Sequence, residues 1–267
     1  MFKFISFGSG SSGNCYYICT EHGGVIIDVG LGLRTLKKHF HDYGIPIDDV
    51  RGILVTHDHA DHIKSVGTLS GKLDVPVYAT SLVHAGIEGN YSVRCKVDKN
   101  HKMNIEKGMP FEIAGLKVCP FDVPHDSSDN VGYKIEHDGI TFCLMTDVGH
   151  VTEEMKSIIK QANYLVIEAN YDDLMLEAGP YPRYLKDRIK SGRGHLSNAK
   201  CAQSIIENFT PSLRHIWLCH LSAENNHPEL ARKNIEQALV DGGIDVVKDV
   251  KLDVLRRRVP DGFYELD

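Results

Sequence analysis

The sequence predicts a mixed α/β fold, of the α+β kind in how its strands are grouped, arranged as a four-layer αββα sandwich. Three observations lead there. Short β-branched and aromatic runs bounded by turn signals recur in both halves of the chain. Amphipathic stretches with helical spacing are fewer and lie between them. Each half therefore supplies several strands and a few helices, and two sheets packed face to face with helices outside bury that apolar surface most fully.

In chain order, strands are expected near residues 2–7, 14–19, 24–28, 51–55, 75–79, 111–114, 116–121, 131–136 and 140–146. Three more fit the C-terminal third, at 164–168, 214–219 and 251–256. Asp138-Gly139 is a hairpin signal, since both residues tolerate the positive φ of a tight two-residue turn. Helices fit Leu33–Phe40, Ile63–Leu69, Thr152–Gln161, Pro182–Lys190, Asn198–Asn208 and Pro228–Val240. The last has a start signal, with Asn226 as candidate N-cap, Pro228 in the first turn and Glu229 three residues after the cap.

No linker, repeat or low-complexity tract interrupts the 267 residues, so a single domain spanning 1–267 is expected. With 42% hydrophobic and 25% charged residues the composition is that of a globular protein, and no apolar run reaches membrane-spanning length. Met1-Phe2-Lys3-Phe4-Ile5-Ser6 runs into Gly8-Ser9-Gly10 rather than a long apolar segment, so no secretory signal and a cytoplasmic location are expected. Seven scattered cysteines without a C-x-x-C pair suit reduced, mostly buried thiols. The net charge of −6 does not advertise a nucleic-acid binder. That argument is weak, because bound divalent ions would supply positive charge where a phosphate must sit.

The chemistry is concentrated in Thr56-His57-Asp58-His59-Ala60-Asp61-His62, directly after the apolar run Ile53-Leu54-Val55. In extended backbone, residues two apart project to the same side, so His57 and His59 can share one ion while Asp61 and His62 point at a second. Single candidates stand where later apolar strands stop: His125, Asp147 and His220. One ion would take His57, His59 and His125; the other would take Asp61, His62 and His220; Asp147 could bridge them. Nitrogen and oxygen ligands without thiolate suit two divalent ions, Zn²⁺ or Mn²⁺, with Fe also compatible.

These residues, in this order, resemble the metallo-β-lactamase superfamily over nearly the whole chain, and the resemblance implies the same ligand assignment. Asp28, after Val25-Ile26-Ile27, falls where that family keeps an aspartate behind its ligands. An oxygen ligand at Asp147, where many antibiotic-hydrolysing members carry cysteine, is similar to the family's phosphodiesterases and thioesterases. His59 argues against the flavodiiron branch, which usually has glutamate there. Glu168-Ala169-Asn170-Tyr171 and Gly194-His195-Leu196-Ser197 resemble elements of the family's nucleases, in which the glutamate orients a histidine that serves the leaving group. A departing sugar alkoxide needs such an acid. The resemblance therefore implies that Asp61, Glu168 and His195 are catalytic, with Asp61 orienting a metal-bridging hydroxide that attacks phosphorus.

Arg183, Lys186, Arg188, Lys190 and Arg193 precede His195 and form either a solvated helix face or a phosphate track. Ser6 to Asn14, rich in glycine and serine, reads either as backbone approaching a phosphate or as a flexible turn between strands. Together with Glu168–Asp172 and His220–Asn226 it resembles the YycJ (WalJ) branch, which is regarded as DNA exonuclease-like. Asn225-Asn226 either touches substrate or caps the following helix. The short spans from His125 to Asp147 and from Asp147 to His195 leave no room for the family's inserted tRNA-binding arm or nucleic-acid-clamping cap. The expectation is a metal-dependent nuclease acting on nucleic acid, DNA rather than RNA. The alternative is a small-molecule hydrolase cleaving a thioester or lactone, which has no need of Glu168 and His195. Nothing in the sequence indicates a membrane partner or an oligomeric state.

Overall fold

A computed structural model describes residues 1–267. The first half runs β1 (Lys3–Gly8), β2 (Cys15–Thr20), β3 (Gly23–Ile27), α1 (Leu33–Asp42), β4 (Val50–Leu54), α2 (Ala60–Ile63), α3 (Val66–Leu73), β5 (Val77–Ala79), α4 (Ser81–Gly89) and β6 (Lys102–Asn104). The second continues with β7 (Phe111–Ile113), β8 (Leu116–Asp122), β9 (Val131–His137), β10 (Ile140–Met145), α5 (Glu153–Gln161), β11 (Tyr164–Glu168), α6 (Asp173–Ala178), α7 (Arg183–Lys190) and α8 (Asn198–Asn208). It ends with β12 (His215–Cys219), α9 (Pro228–Asp241), β13 (Lys251–Val254) and β14 (Tyr264–Glu265).

Period-two alternation sorts these strands into layers. Phe4, Tyr16, Ile27, Val166 and Trp217 point into the apolar seam between two seven-stranded sheets. Their neighbours Ile5, Tyr17 and Ile26 point to the opposite face of the first sheet, where Leu36, Phe40, Leu69 and Val83 of α1, α3 and α4 cover them. Leu165 and Ile216 point to the outer face of the second sheet, under α5, α8 and α9. The result is the αββα sandwich that the pattern predicts.

The first sheet has the order β14-β1-β2-β3-β4-β5-β6 and the second β13-β12-β11-β10-β9-β8-β7. Within them β3 to β6 and β10 to β13 run parallel. Parallel neighbours need crossovers, and the helices supply them. Asp138 and Gly139 join β9 to β10 with φ of 47° and 79°, the tight hairpin expected from the sequence. Five of the seven cysteines are buried and all are free thiols.

Two local expectations are corrected, and four elements are added. The helix expected at Ile63–Leu69 is two helices, α2 and α3, broken at Ser65, whose backbone (φ −116°, ψ 9°) leaves the helical region. The N-cap of α9 is His227, whose ring accepts the Glu229 N–H. Asn226 instead lies buried, donating to the carbonyl of Ala169 and exchanging hydrogen bonds with Asn198. Finally, α4, α6, β6 and β14 were not legible in the sequence. The strands are two and three residues long, α6 has six residues, and α4 contains Gly86 and Gly89, which lower helical propensity. No helix is long and apolar enough to cross a membrane.

Candidate metal centre and active site

Apart from His195, which sits in the loop between α7 and α8, the candidate residues lie at or just past the carboxyl ends of strands, the usual ligand-binding edge of such sheets. Asp28 follows β3, the His57–His62 loop follows β4, and His125 follows β8. Asp147, Glu168 and His220 end or follow β10, β11 and β12. The loop is extended through His59 (φ −70°, ψ 146°) and then enters α2, so Asp61 and His62 sit in a first helical turn rather than an extended strand.

The structure brings every expected residue together. Donor atoms of His57, His59 and His125 lie within 4.8 Å of one another, as do those of Asp61, His62 and His220. Asp147 stands between the two groups, with Oδ1 3.6 Å from His125 Nε2 and Oδ2 3.3 Å from His62 Nε2. Asp28 accepts from Thr56 N–H at 2.8 Å and lies 2.7 Å from His62 Nδ1, so it fixes that ring from behind. His125 is fixed in the same way, its Nδ1–H donating to the Gly194 carbonyl at 3.0 Å.

This donor set fits divalent cations. Nε2 of His57 and Nε2 of His220 are buried with no hydrogen-bond partner, a costly state for a polar atom unless an ion takes its lone pair. Burial and the neighbouring rings push the His57 pKa well below its usual value, which keeps that lone pair free. Burial opposes charge on His220 too, but the carboxylates of Asp147, Asp61 and Glu168 push its pKa up to about 10. Three buried or partly buried carboxylates, Asp61, Asp147 and Glu168, thus face the same small space and call for positive charge there.

Glu168 is completely buried, and its Oε1 lies 2.9 Å from both His195 Nδ1 and His220 Nδ1. Its other oxygen accepts the Val148 and Leu196 N–H groups at 2.7 and 3.0 Å. His195 faces a cleft of about 200 Å³ that is also lined by His220, Asp126, Arg188, Tyr181 and Ser11. Burial alone would lower the His195 pKa; the Glu168 and Asp147 carboxylates together more than offset this and raise it.

A β-lactamase superfamily family model matches residues 24–213, from just before Asp28 to beyond His195. An exodeoxyribonuclease YycJ from Bacillus anthracis is 37% identical over 246 residues, 91% of each chain. An exodeoxyribonuclease WalJ from Streptococcus pneumoniae is 34% identical over 251 residues, 94% of this chain and 93% of that one. The chain belongs to the metallo-β-lactamase superfamily, in its YycJ-like branch. The fold agrees with solved members at far lower identity. The metallo-β-lactamase fold protein YhfI from Bacillus subtilis matches with a TM-score of 0.70 at 15% identity, covering 98% of this chain and 99% of that one. Zn²⁺-bound PqqB from Methylobacterium extorquens matches with a TM-score of 0.71 at 18% identity, covering 97% and 99%. As a member of this superfamily the chain is a metal-dependent hydrolase, and its His/Asp clusters are where divalent ions would bind.

Several contributors were not recognised from the sequence. Asp126, next to His125, places a buried and unpartnered Oδ1 3.5 Å from His125 Nε2, while its Oδ2 accepts from Arg188 Nε at 2.6 Å. Adjacency to His125 was its only sequence signal. The Ser6–Asn14 segment is a brace rather than a free loop. Ser9 Oγ accepts the His220 N–H at 2.9 Å, and Asn14 donates from Nδ2 to Asp61 Oδ2 at 3.2 Å and from its backbone N–H to the Asp61 carbonyl at 2.7 Å. Asn225 and Asn226 are both buried, so neither is a surface for substrate. Of the basic cluster before His195, Arg183 and Lys190 pair with Glu177, and Arg193 donates to the His125 carbonyl. Only Arg188 lines the cleft.

Proposed function

We propose that this protein is a binuclear-metal-dependent phosphodiesterase that removes nucleotides from DNA ends. The observation that carries this reading is the Glu168–His195 pair, set beside the metal centre and opening into the cleft. The exodeoxyribonuclease names of the two relatives support DNA as the substrate. A thioester or lactone hydrolase needs only the metal centre, because its leaving group departs without an acid of this kind.

In this reading His57, His59 and His125 hold one ion, Asp61, His62 and His220 hold the other, and Asp147 lies between them. Two bound ions supply Lewis acidity toward a phosphoryl oxygen and lower the pKa of an attacking water. Zn²⁺ and Mn²⁺ suit the nitrogen and oxygen donors best. Asp61 orients the nucleophile through its carboxylate. Glu168 accepts the Nδ1–H of His195 and holds the ring protonated, so that Nε2–H can donate to the departing sugar oxygen. Arg188, on the cleft wall, is placed to pair with a backbone phosphate. The 267 residues act as one catalytic domain, since only the β9–β10 hairpin and short loops separate His125 from Asp147.

The deciding experiment supplies Mn²⁺ or Zn²⁺ to the protein with end-labelled linear duplex DNA, single strands, closed circular DNA and RNA. Stepwise release of mononucleotides from linear DNA, with circles resistant, is the expected result. Intact nucleic acids alongside a hydrolysed thioester or lactone would overturn the proposal.

A further inference from the structure

A second cluster lies at the far end of the sandwich. The β2–β3 turn of the first sheet carries Glu21, and at the β9–β10 hairpin of the second His137 ends β9 and Asp138 opens the turn. The Val131 end of β9 abuts the metal loop, where its N–H donates to the Thr56 carbonyl. His137 ends the same strand, which at about 3.3 Å per residue puts it roughly 20 Å from the active centre.

His137 is set up as a ligand. Its Nδ1 is 2.9 Å from the Gly115 carbonyl, which can only accept, so the ring proton sits on Nδ1 and Nε2 keeps a bare lone pair. That pattern, one ring nitrogen pinned by a carbonyl and the other free, is how metal-binding histidines are oriented. Nε2 is buried and has no hydrogen-bond partner, and the side chain is only 7% exposed. It is aimed at two carboxylates, 3.3 Å from Asp138 Oδ2 and 3.8 Å from Glu21 Oε2. One donor atom from each of the three residues lies within 4.8 Å of the others.

Charge favours a cation here. The groove outside is lined by Glu21, Glu112, Glu136 and Asp138 against Lys117, which already pairs with Glu136 at 3.1 Å. The Met1 ammonium reaches Glu21 Oε2 at 2.8 Å, so an arriving ion competes with one monovalent group. Asp138 and Glu21 are 77% and 48% exposed, which gives it a path from solvent. One imidazole and two carboxylates suit a borderline divalent ion better than Ca²⁺ or Mg²⁺, which prefer oxygen alone.

We propose that Glu21, His137 and Asp138 form a separate binding site for a divalent transition-metal ion such as Zn²⁺, one that clasps the two sheets at the end opposite the active centre. Its two carboxylates come from different sheets, so the bound ion ties turns that the chain places more than a hundred residues apart.

The test compares the full-length protein with the E21Q/D138N double variant at equal free Zn²⁺. Both substitutions are on exposed side chains outside the active centre, and Asn tolerates the positive φ of Asp138. Nuclease activity should therefore be unchanged. Native mass spectrometry should count one more Zn²⁺ per chain in the wild type. The ¹⁵N resonance of His137 Nε2 should move on Zn²⁺ addition in the wild type alone. Equal metal counts, or a ring resonance that does not move, would overturn the site.

Discussion

Nδ1 of His195 lies 2.9 Å from Oε1 of Glu168, a carboxylate with no exposed surface. A fixed carboxylate on one ring nitrogen determines the tautomer and keeps the ring charged, so the opposite nitrogen becomes the reactive one. In the proposed assignment neither ion takes His195 as a ligand, so His195→Ala should lower turnover on DNA by about 10²–10⁴-fold with metal content intact. Kinetics paired with elemental analysis checks this; metal lost along with activity would show that His195 is a ligand.

Glu168 makes the same 2.9 Å contact to His220 Nδ1, so in the proposed assignment it supports a metal ligand as well as the acid. Glu168→Gln should therefore weaken both functions, lowering metal affinity about 10- to 100-fold as well as turnover. Metal titrations of the two variants side by side separate the roles. Full metal affinity in Glu168→Gln would leave the His220 contact without consequence.

Gly30 sits where the Asn14 brace meets the metal loop. A Cβ at this position would fall 1.7 Å from the Asp61 carbonyl oxygen, a backbone atom that cannot turn aside. Gly30→Ala should displace the start of α2, cost roughly the 1–3 kcal/mol of stability typical of overpacking, and weaken binding of the ion proposed for Asp61 and His62. Denaturant unfolding with metal analysis reads both effects, and wild-type values in both would contradict the brace.

Asp261 carries the clearest pH signature outside the site. Burial pushes its carboxyl up to about 6, against the Arg256 N–H and guanidinium that pull it down. A folded-state pKa above the unfolded value near 3.9 means the proton is held more tightly in the native state. The associated stability is complete below about pH 4 and is lost as pH rises through about 6. Asp261→Asn removes that loss, so the variant should gain on the wild type by up to about 2 kcal/mol between pH 4.5 and 7. Chemical denaturation at several pH values tests it; parallel curves would show that Asp261 does not titrate in this range.

Much of the architecture was readable because burial imposes a period. Phe4 and Ile5, or Ile216 and Trp217, alternate between the two faces of a strand, and that alternation alone implies covering layers on both sides. The dense His57–His62 loop was readable because so many metal donors rarely fall together without an ion. Asp126 was not, since one aspartate in a loop carries no spacing signal. Nor was the role of Ser9 and Asn14, because their partners His220 and Asp61 are distant in the chain.

The amino-acid order by itself determined the sandwich, through local periodicity, and the donor side chains available for a metal, while the pairing of Glu168 with His195 entered as what the family resemblance implies. Only the tertiary structure decided which atoms converge. Asp28, Asp147 and His220 all adopt positive φ, at 61°, 55° and 53°, a conformation non-glycine residues rarely hold. Such strain, about 1–3 kcal/mol per residue, persists only where surrounding packing and hydrogen bonds over-determine it. Those contacts come from both sheets and from chain segments far apart in sequence, so no local pattern encodes them.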